Sequence, residues 1–64
     1  MRYLIRESGD NRDYRESNKR RAFVFARMLA ANYQNTVSVY DMEELIAQWR
    51  WTPERGGRVY RCEV

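Results

Sequence analysis

The chain contains no histidine. That absence removes the side chain best suited to moving protons near neutral pH, and with it the commonest metal ligand. Cysteine occurs once, as Cys62, so no internal disulfide can form and a Cys/His zinc set is excluded. A lone thiol of this kind reads as a small apolar filler in a reducing compartment. Proline occurs once and glycine three times. The one glycine pair, Gly56-Gly57, lacks the Lys and Ser or Thr that follow in a phosphate loop, and the carboxylates do not fall at EF-hand spacing. Long hydrophobic runs are missing as well. No apolar stretch approaches the roughly 18 residues of a membrane span, and the apolar part of Met1-Arg2-Tyr3-Leu4-Ile5-Arg6 is too short for a signal-peptide core. These absences lead to the expectation of a cytoplasmic, non-catalytic domain with no metal, no cofactor and no membrane contact.

What remains is charge and aromatic surface. The 64 residues carry 12 basic and 9 acidic side chains, and 11 of the 12 bases are arginine. Arginine offers a planar fork that takes phosphate or carboxylate bidentately and stacks on rings. The charge is also divided along the chain: residues 1–27 sum to +4, residues 28–48 to −3 and residues 49–64 to +2. Both ends are basic and the middle acidic, which predicts a two-toned surface. A chain of this length makes one domain, residues 1–64. It buries only about 60 % of the surface that its unfolded form exposes. A partner, or self-association as a homodimer, could supply further burial.

The hydrophobic pattern predicts a β-α-β-β-β order. Residues 2–7 alternate as a first strand, and Ser8-Gly9-Asp10-Asn11 breaks it with four turn formers. Two helix starts compete, a capping-box pairing of Asp13 with Glu16 and the later N-caps Ser17 and Asn18, of which the later is preferred. At 100° per residue Ala22, Phe25, Ala26, Leu29 and Tyr33 share a face, predicted to form the core with Tyr3, Ile5, Val37 and Val39. The helix should end between Asn32 and Asn35. Thr36 to Tyr40 alternates as a strand with Val37 and Val39 inward. Residues 41–51 fit a helix capped by Asp41, or a strand with Leu45, Ala47, Trp49 and Trp51 on one face. The Pro53 to Gly57 turn signal favours strands at 45–51 and 58–63. The predicted fold is therefore α+β, one amphipathic helix packed on a mainly antiparallel sheet of three to four strands.

Four surfaces are candidates for binding. A single helix covers one face of the sheet, so the other should present Arg2, Leu4, Arg6, Ser38, Tyr40, Gln48 and Arg50, joined by Tyr60 or Arg61. Such a mixture suits stacked bases and phosphates, and equally an ordinary solvated face. Arg12, Arg15, Lys19, Arg20 and Arg21 form a basic stretch at the helix entry, with Asp10, Asp13 and Glu16 interleaved. Nine aromatic rings exceed what a thin core hides, so Phe23 and one of Trp49 or Trp51 could be left partly exposed as interface anchors. Large rings also fill a small core, which is the preferred place for the Trp pair and an equal alternative for Phe23. Asp41, Glu43 and Glu44 could meet a basic groove on a partner. An enzyme built on Arg50, Tyr60 and Glu63 can be drawn, but nothing in their spacing requires it.

In scale and make-up, with a short strand from Arg2 to Glu7, one amphipathic helix and no catalytic constellation, the chain resembles the short accessory proteins of phages and mobile elements, including inhibitors of host defence of the anti-CRISPR type. The resemblance implies stoichiometric action: occupying a surface of a larger protein or ribonucleoprotein. The alternative is direct binding of RNA or single-stranded DNA through the Arg and aromatic sheet face.

Overall fold

A stretch of alternating residues can bury only one side, and this chain has five such stretches and one helix. The computed structural model describes residues 2–9, 12–62 and 64. Their order is β1 (Tyr3–Glu7), β2 (Asp13–Glu16), α1 (Lys19–Tyr33), β3 (Val37–Asp41), β4 (Glu44–Thr52), a short 3-10 turn (Glu54–Gly56) and β5 (Arg58–Cys62). The strands form one sheet in the order β2-β1-β3-β4-β5, every neighbouring pair antiparallel. The α+β class and the single helix are as the pattern predicts, but the sheet has five strands where three to four were expected. The extra one is β2. With the sequence Asp-Tyr-Arg-Glu it carries one apolar residue, which is affordable only on a short sheet edge where charged side chains also discourage foreign pairing.

The later of the two helix starts is the real one. Asn18 caps α1, its side-chain oxygen accepting the Arg21 N–H at 3.1 Å. Glu16 does not belong to a capping box with Asp13. It ends β2, and its Oε1 accepts the backbone N–H groups of Ser17 and Asn18 at 3.0 and 3.2 Å. The helix stops at Tyr33 because Gln34 adopts the left-handed conformation, φ 54°.

Ala22, Ala26, Leu29 and Ala30 are the buried residues of α1. Three alanines on one stripe let the helix lie close to the sheet, over Tyr3, Ile5, Val37, Val39, Ala47 and Trp49. Tyr33 was expected among them and is instead 55 % exposed. It falls in the last turn, beyond the part of the helix that the sheet covers, and Ala30 takes its place. Phe25 sits half-buried at the margin, edge-on to Tyr14 of β2 with ring centroids 5.0 Å apart. Trp49 is core, and Trp51 is half-buried.

Residues 41–51 form no helix. Asp41 closes β3, a two-residue turn follows, and β4 begins at Glu44. The strand reading is correct in kind, but the assigned face is wrong at Leu45 and at Ile46, which was expected beside Gln48 and Arg50. Val39 stands opposite Ala47 and Tyr40 opposite Leu45, so one extra residue, Ile46, interrupts the ladder. A bulge of this kind shifts the alternation. Ile46 packs against the core, and Leu45 goes with Tyr40 to the opposite face. Beyond β4 the loop folds back on Trp51. Gly57 has φ 107° and a Cβ there would lie 3.3 Å from the indole Nε1, so only glycine permits this approach without displacing the ring. Strand β5 ends at Cys62; the expected last strand residue Glu63, like Asp10 and Asn11 of the first turn, lies outside the described residues.

Truncation separates the true helix face from the expected one. Leu29→Ala should cost about 2 to 5 kcal/mol through its cavity, while Tyr33→Ala should stay within about 0.5 kcal/mol. Urea unfolding of the two variants checks this, and equal losses would put Tyr33 in the core.

Candidate binding face on the open side of the sheet

Strand pairing places the outward side chains in rows. Across β2, β1, β3 and β4 runs Arg15, Leu4, Tyr40 and Leu45. The next row is polar: Asp13, Arg6, Ser38, Gln48 and Cys62. Further along, Arg50 stands opposite Tyr60. The helix lies on the other side, so these rows form a face that no element among the described residues covers. Of the two residues expected to complete it, Tyr60 does so. Arg61 points to the helix side, where its guanidinium stacks 4.9 Å from the Phe23 centroid and 5.6 Å from that of Trp49.

Arg2, Arg6 and Arg50 are already engaged. Arg2 forks onto Asp41, Nε to Oδ1 at 2.7 Å and Nη2 to Oδ2 at 2.9 Å. Arg6 does the same to Asp13 at 2.9 and 3.2 Å, and its guanidinium lies 5.8 Å from the Tyr40 ring centroid. Arg50 donates twice to the Gln48 carbonyl oxygen, and Gln48 donates to the Ser38 hydroxyl at 3.1 Å. Among the described residues Arg15 has no ion pair. The expected arginine and acidic patches are thus joined: Asp41 is the partner of Arg2, and the ends of the face are near electrical balance.

Around Leu4 and Tyr40 the surface dips into a depression of about 670 Å³, lined by Arg2, Leu4, Arg6, Arg15, Tyr40, Met42 and Glu43. Its rim is the β3–β4 turn. Met42 and Glu43 both have positive φ, 48° and 76°, the geometry of a tight hairpin turn that normally carries Asn-Gly. Neither residue is suited to it, and Met42 is left 78 % exposed. The turn thus keeps backbone strain at the surface and holds an apolar side chain in water beside the depression.

The sequence-derived candidates therefore divide. Arg2, Arg6, Tyr40 and Glu43 come together at the depression, Asp41 is joined to them through Arg2 without lining it, Arg50 lies at the far end of the same face, and Glu44 is exposed opposite Asp41. Arg20 and Phe23 do not join them. Both are on α1, Phe23 half-buried and edge-on to Trp49 at 5.0 Å with the Lys19 ammonium 5.5 Å from its centroid. The basic stretch also splits, Arg15 to the open face and Lys19, Arg20 and Arg21 to the helix. Leu45 and Met42 were missed as site residues, and Arg15 was named only within the basic stretch at the helix entry, not on the sheet face. Period-two alternation in Asp13–Glu16 could have found Arg15; the bulge and the strained turn leave no sequence signal. In the narrow enzyme reading, Arg50 and Tyr60 are paired across β4 and β5, and Glu63 lies outside the described residues.

Two outcomes test this geometry. Replacing Met42-Glu43 by Asn-Gly should raise stability by about 1 to 2 kcal/mol, because it removes two left-handed penalties, and thermal melts check it; a fall in stability would mean that the turn is not strained. The second concerns acid. Hydrogen bonds from Arg6 and Arg2 chiefly hold the Asp13 and Asp41 carboxyls below their ordinary value of 3.8. The stability that they contribute is then present above pH 3.8 and lost as pH falls through the lower folded values. Melting midpoints of the Asp13→Asn, Asp41→Asn double variant should lie below those of the parent at neutral pH and converge with them as pH drops below 3.8.

No family model, curated protein or solved structure matches this chain, and its function therefore has to be argued from the open face itself.

Proposed function

We propose that the domain is a non-catalytic binding module that acts by occupancy, its open sheet face seated on a larger protein or on the protein part of a ribonucleoprotein. The observation that carries this reading is the depression on that face: Leu4 and Tyr40 at its centre, the exposed Met42 on its rim, and Arg2, Arg6 and Arg15 around it. Aromatic, methionine and arginine side chains are the types enriched at protein interfaces, and an apolar centre with a charged rim is the usual anatomy of one.

The ion pairs favour a protein over a nucleic acid on this face. Arg2 and Arg6 hold their forks against Asp41 and Asp13, so a phosphate would have to displace a carboxylate already in place. A protein surface needs no such exchange. It can cover Leu4, Tyr40 and Met42 and leave both pairs in the rim. The histidine-free composition agrees with action through surface and not through proton transfer. Stoichiometric blocking of this kind is the mode implied by the resemblance to short inhibitors from phages and mobile elements, and a 64-residue chain suits it.

The Leu4→Glu, Tyr40→Ala double variant tests the reading. Captured on a tagged parent chain from a lysate of its source organism, the partner should be bound by the variant at least about thirtyfold more weakly, the loss of a 2 kcal/mol hot spot. Circular dichroism confirms that the variant is folded. Undiminished affinity in a folded variant would remove the sheet face from the account.

A further inference from the structure

Arg2, Arg6, Arg50 and Arg61 are paired, hydrogen-bonded or stacked, whereas the arginines on the outer side of α1 have no such partner among the described residues. The helix Lys19–Tyr33 carries four bases and no acid. Lys19 leans over Phe23. Arg20, Arg21 and Arg27 are exposed, and among the described residues none of the three has a carboxylate partner. Between them stand Val24, 62 % exposed, and Met28, 49 % exposed. Arg20, Arg21, Val24, Phe25 and Met28, with Glu16 at one end, line a groove of about 480 Å³. The single carboxylate there is turned to the helix start, where it accepts two backbone N–H groups.

This arrangement works against the fold. The N-terminal end of a helix bears partial positive charge and favours acids, yet the first turn of α1 holds Lys19, Arg20 and Arg21 and no acid. Cations are concentrated where the dipole repels them, and Glu16, the one carboxylate lining the groove, forms no ion pair with them among the described residues, which breaks a local rule. An external anion would relieve both terms at once.

We propose that the outer face of α1 is a second binding surface, for the phosphate backbone of a nucleic acid, with Arg20, Arg21 and Arg27 as the phosphate contacts. Arg20 and Arg27 are two helical turns apart, about 10.5 Å along the axis, so a chain of evenly spaced phosphates can meet both, with Arg21 beside them. Guanidinium forks take phosphate oxygens bidentately. An anionic membrane is the poorer fit. A helix that lies in a bilayer surface must turn its apolar stripe to the lipid, and here that stripe, Ala22, Ala26, Leu29 and Ala30, is sealed against the sheet. The surface is distinct from the open sheet face, on the opposite side of the molecule. A domain seated on a protein by its sheet would thus offer α1 to nucleic acid held by the same complex.

The experiment is a fluorescence titration of the purified domain against a labelled DNA duplex of about 20 base pairs and a single-stranded RNA of equal length, repeated as salt rises from about 50 mM. The parent should bind at least one of the two probes, and the logarithm of affinity should fall with that of salt at a slope near −2 to −3, as three phosphate contacts require. Which probe binds more tightly identifies the source of the phosphates. The Arg20→Gln, Arg21→Gln, Arg27→Gln variant should bind more than about tenfold more weakly with a flattened slope, while its melting temperature is kept or raised. The Leu4→Glu, Tyr40→Ala variant should bind the probes as the parent does, so a failure of the sheet-face reading is distinguishable from a failure of this one. No binding by the parent at low salt, unchanged affinity in the folded arginine variant, or displacement of the probe by polyglutamate as readily as by unlabelled nucleic acid would each overturn the proposal.

Discussion

One helix cannot cover two sides of a sheet, and the open face of this domain follows from that limit. Fifteen residues make a helix about 22 Å long and about 10 Å wide, and five strands span about 24 Å. The alanine stripe of Ala22, Ala26 and Ala30 seats α1 close on Tyr3, Ile5, Val37 and Val39, which completes a core two layers deep. The molecule is 17 Å through its thinnest direction. Among the described residues no element forms a third layer, so the rows headed by Arg15-Leu4-Tyr40 and Asp13-Arg6-Ser38 stay open to the surroundings.

The make-up of that open face supports the proposed docking of a protein. Leu4, Tyr40 and Leu45 give it an apolar strip, which a purely solvated sheet face would replace with threonine and charge. The bulge at Ile46 is what delivers Leu45 to the strip; without it Leu45 would fall on the core side. The forked pairs Arg2–Asp41 and Arg6–Asp13 fix two long side chains at the border and so reduce the rotamer entropy that a partner's arrival would otherwise cost. Being exposed, with the Arg2 and Arg6 side chains 59 % and 52 % accessible, they add little stability of their own. Pre-organisation is the better account of their geometry. The Met42-Glu43 turn adds the opposite kind of evidence, a local cost held in place beside the same depression.

Most of the architecture was legible because it is written in short-range periodicity. The 3.6-residue spacing of Ala22, Ala26 and Leu29, the alternation around Val37 and Val39, and the Pro-Gly turn before β5 each state their element within a few residues. The cap at Asn18 was legible for the same reason. What was hidden depends on long-range register. Strand β2 contains one apolar residue and becomes a strand only because β1 offers it an edge. Tyr33 continues the helical stripe in sequence but outruns the sheet in space. Arg2 and Asp41 are 39 residues apart, so two patches that looked opposed in sequence are partners in the fold. The open face itself could be anticipated, as Arg2, Arg6, Tyr40 and Arg50 were, from the single fact that there is one helix. Its centre could not, since Leu45 and Met42 reach it through a bulge and a turn that the residue types disfavour.

The central claim is that the open sheet face is the surface by which the domain engages a protein, and cross-saturation NMR reads that contact directly. With the domain labelled and bound to its captured partner, irradiation of the partner should attenuate signals of Leu4, Tyr40, Met42 and Leu45 most strongly, fading toward the Arg2 and Arg6 border. Attenuation centred on Val24 and Met28 of α1, with the sheet-face signals at full intensity, would contradict the account.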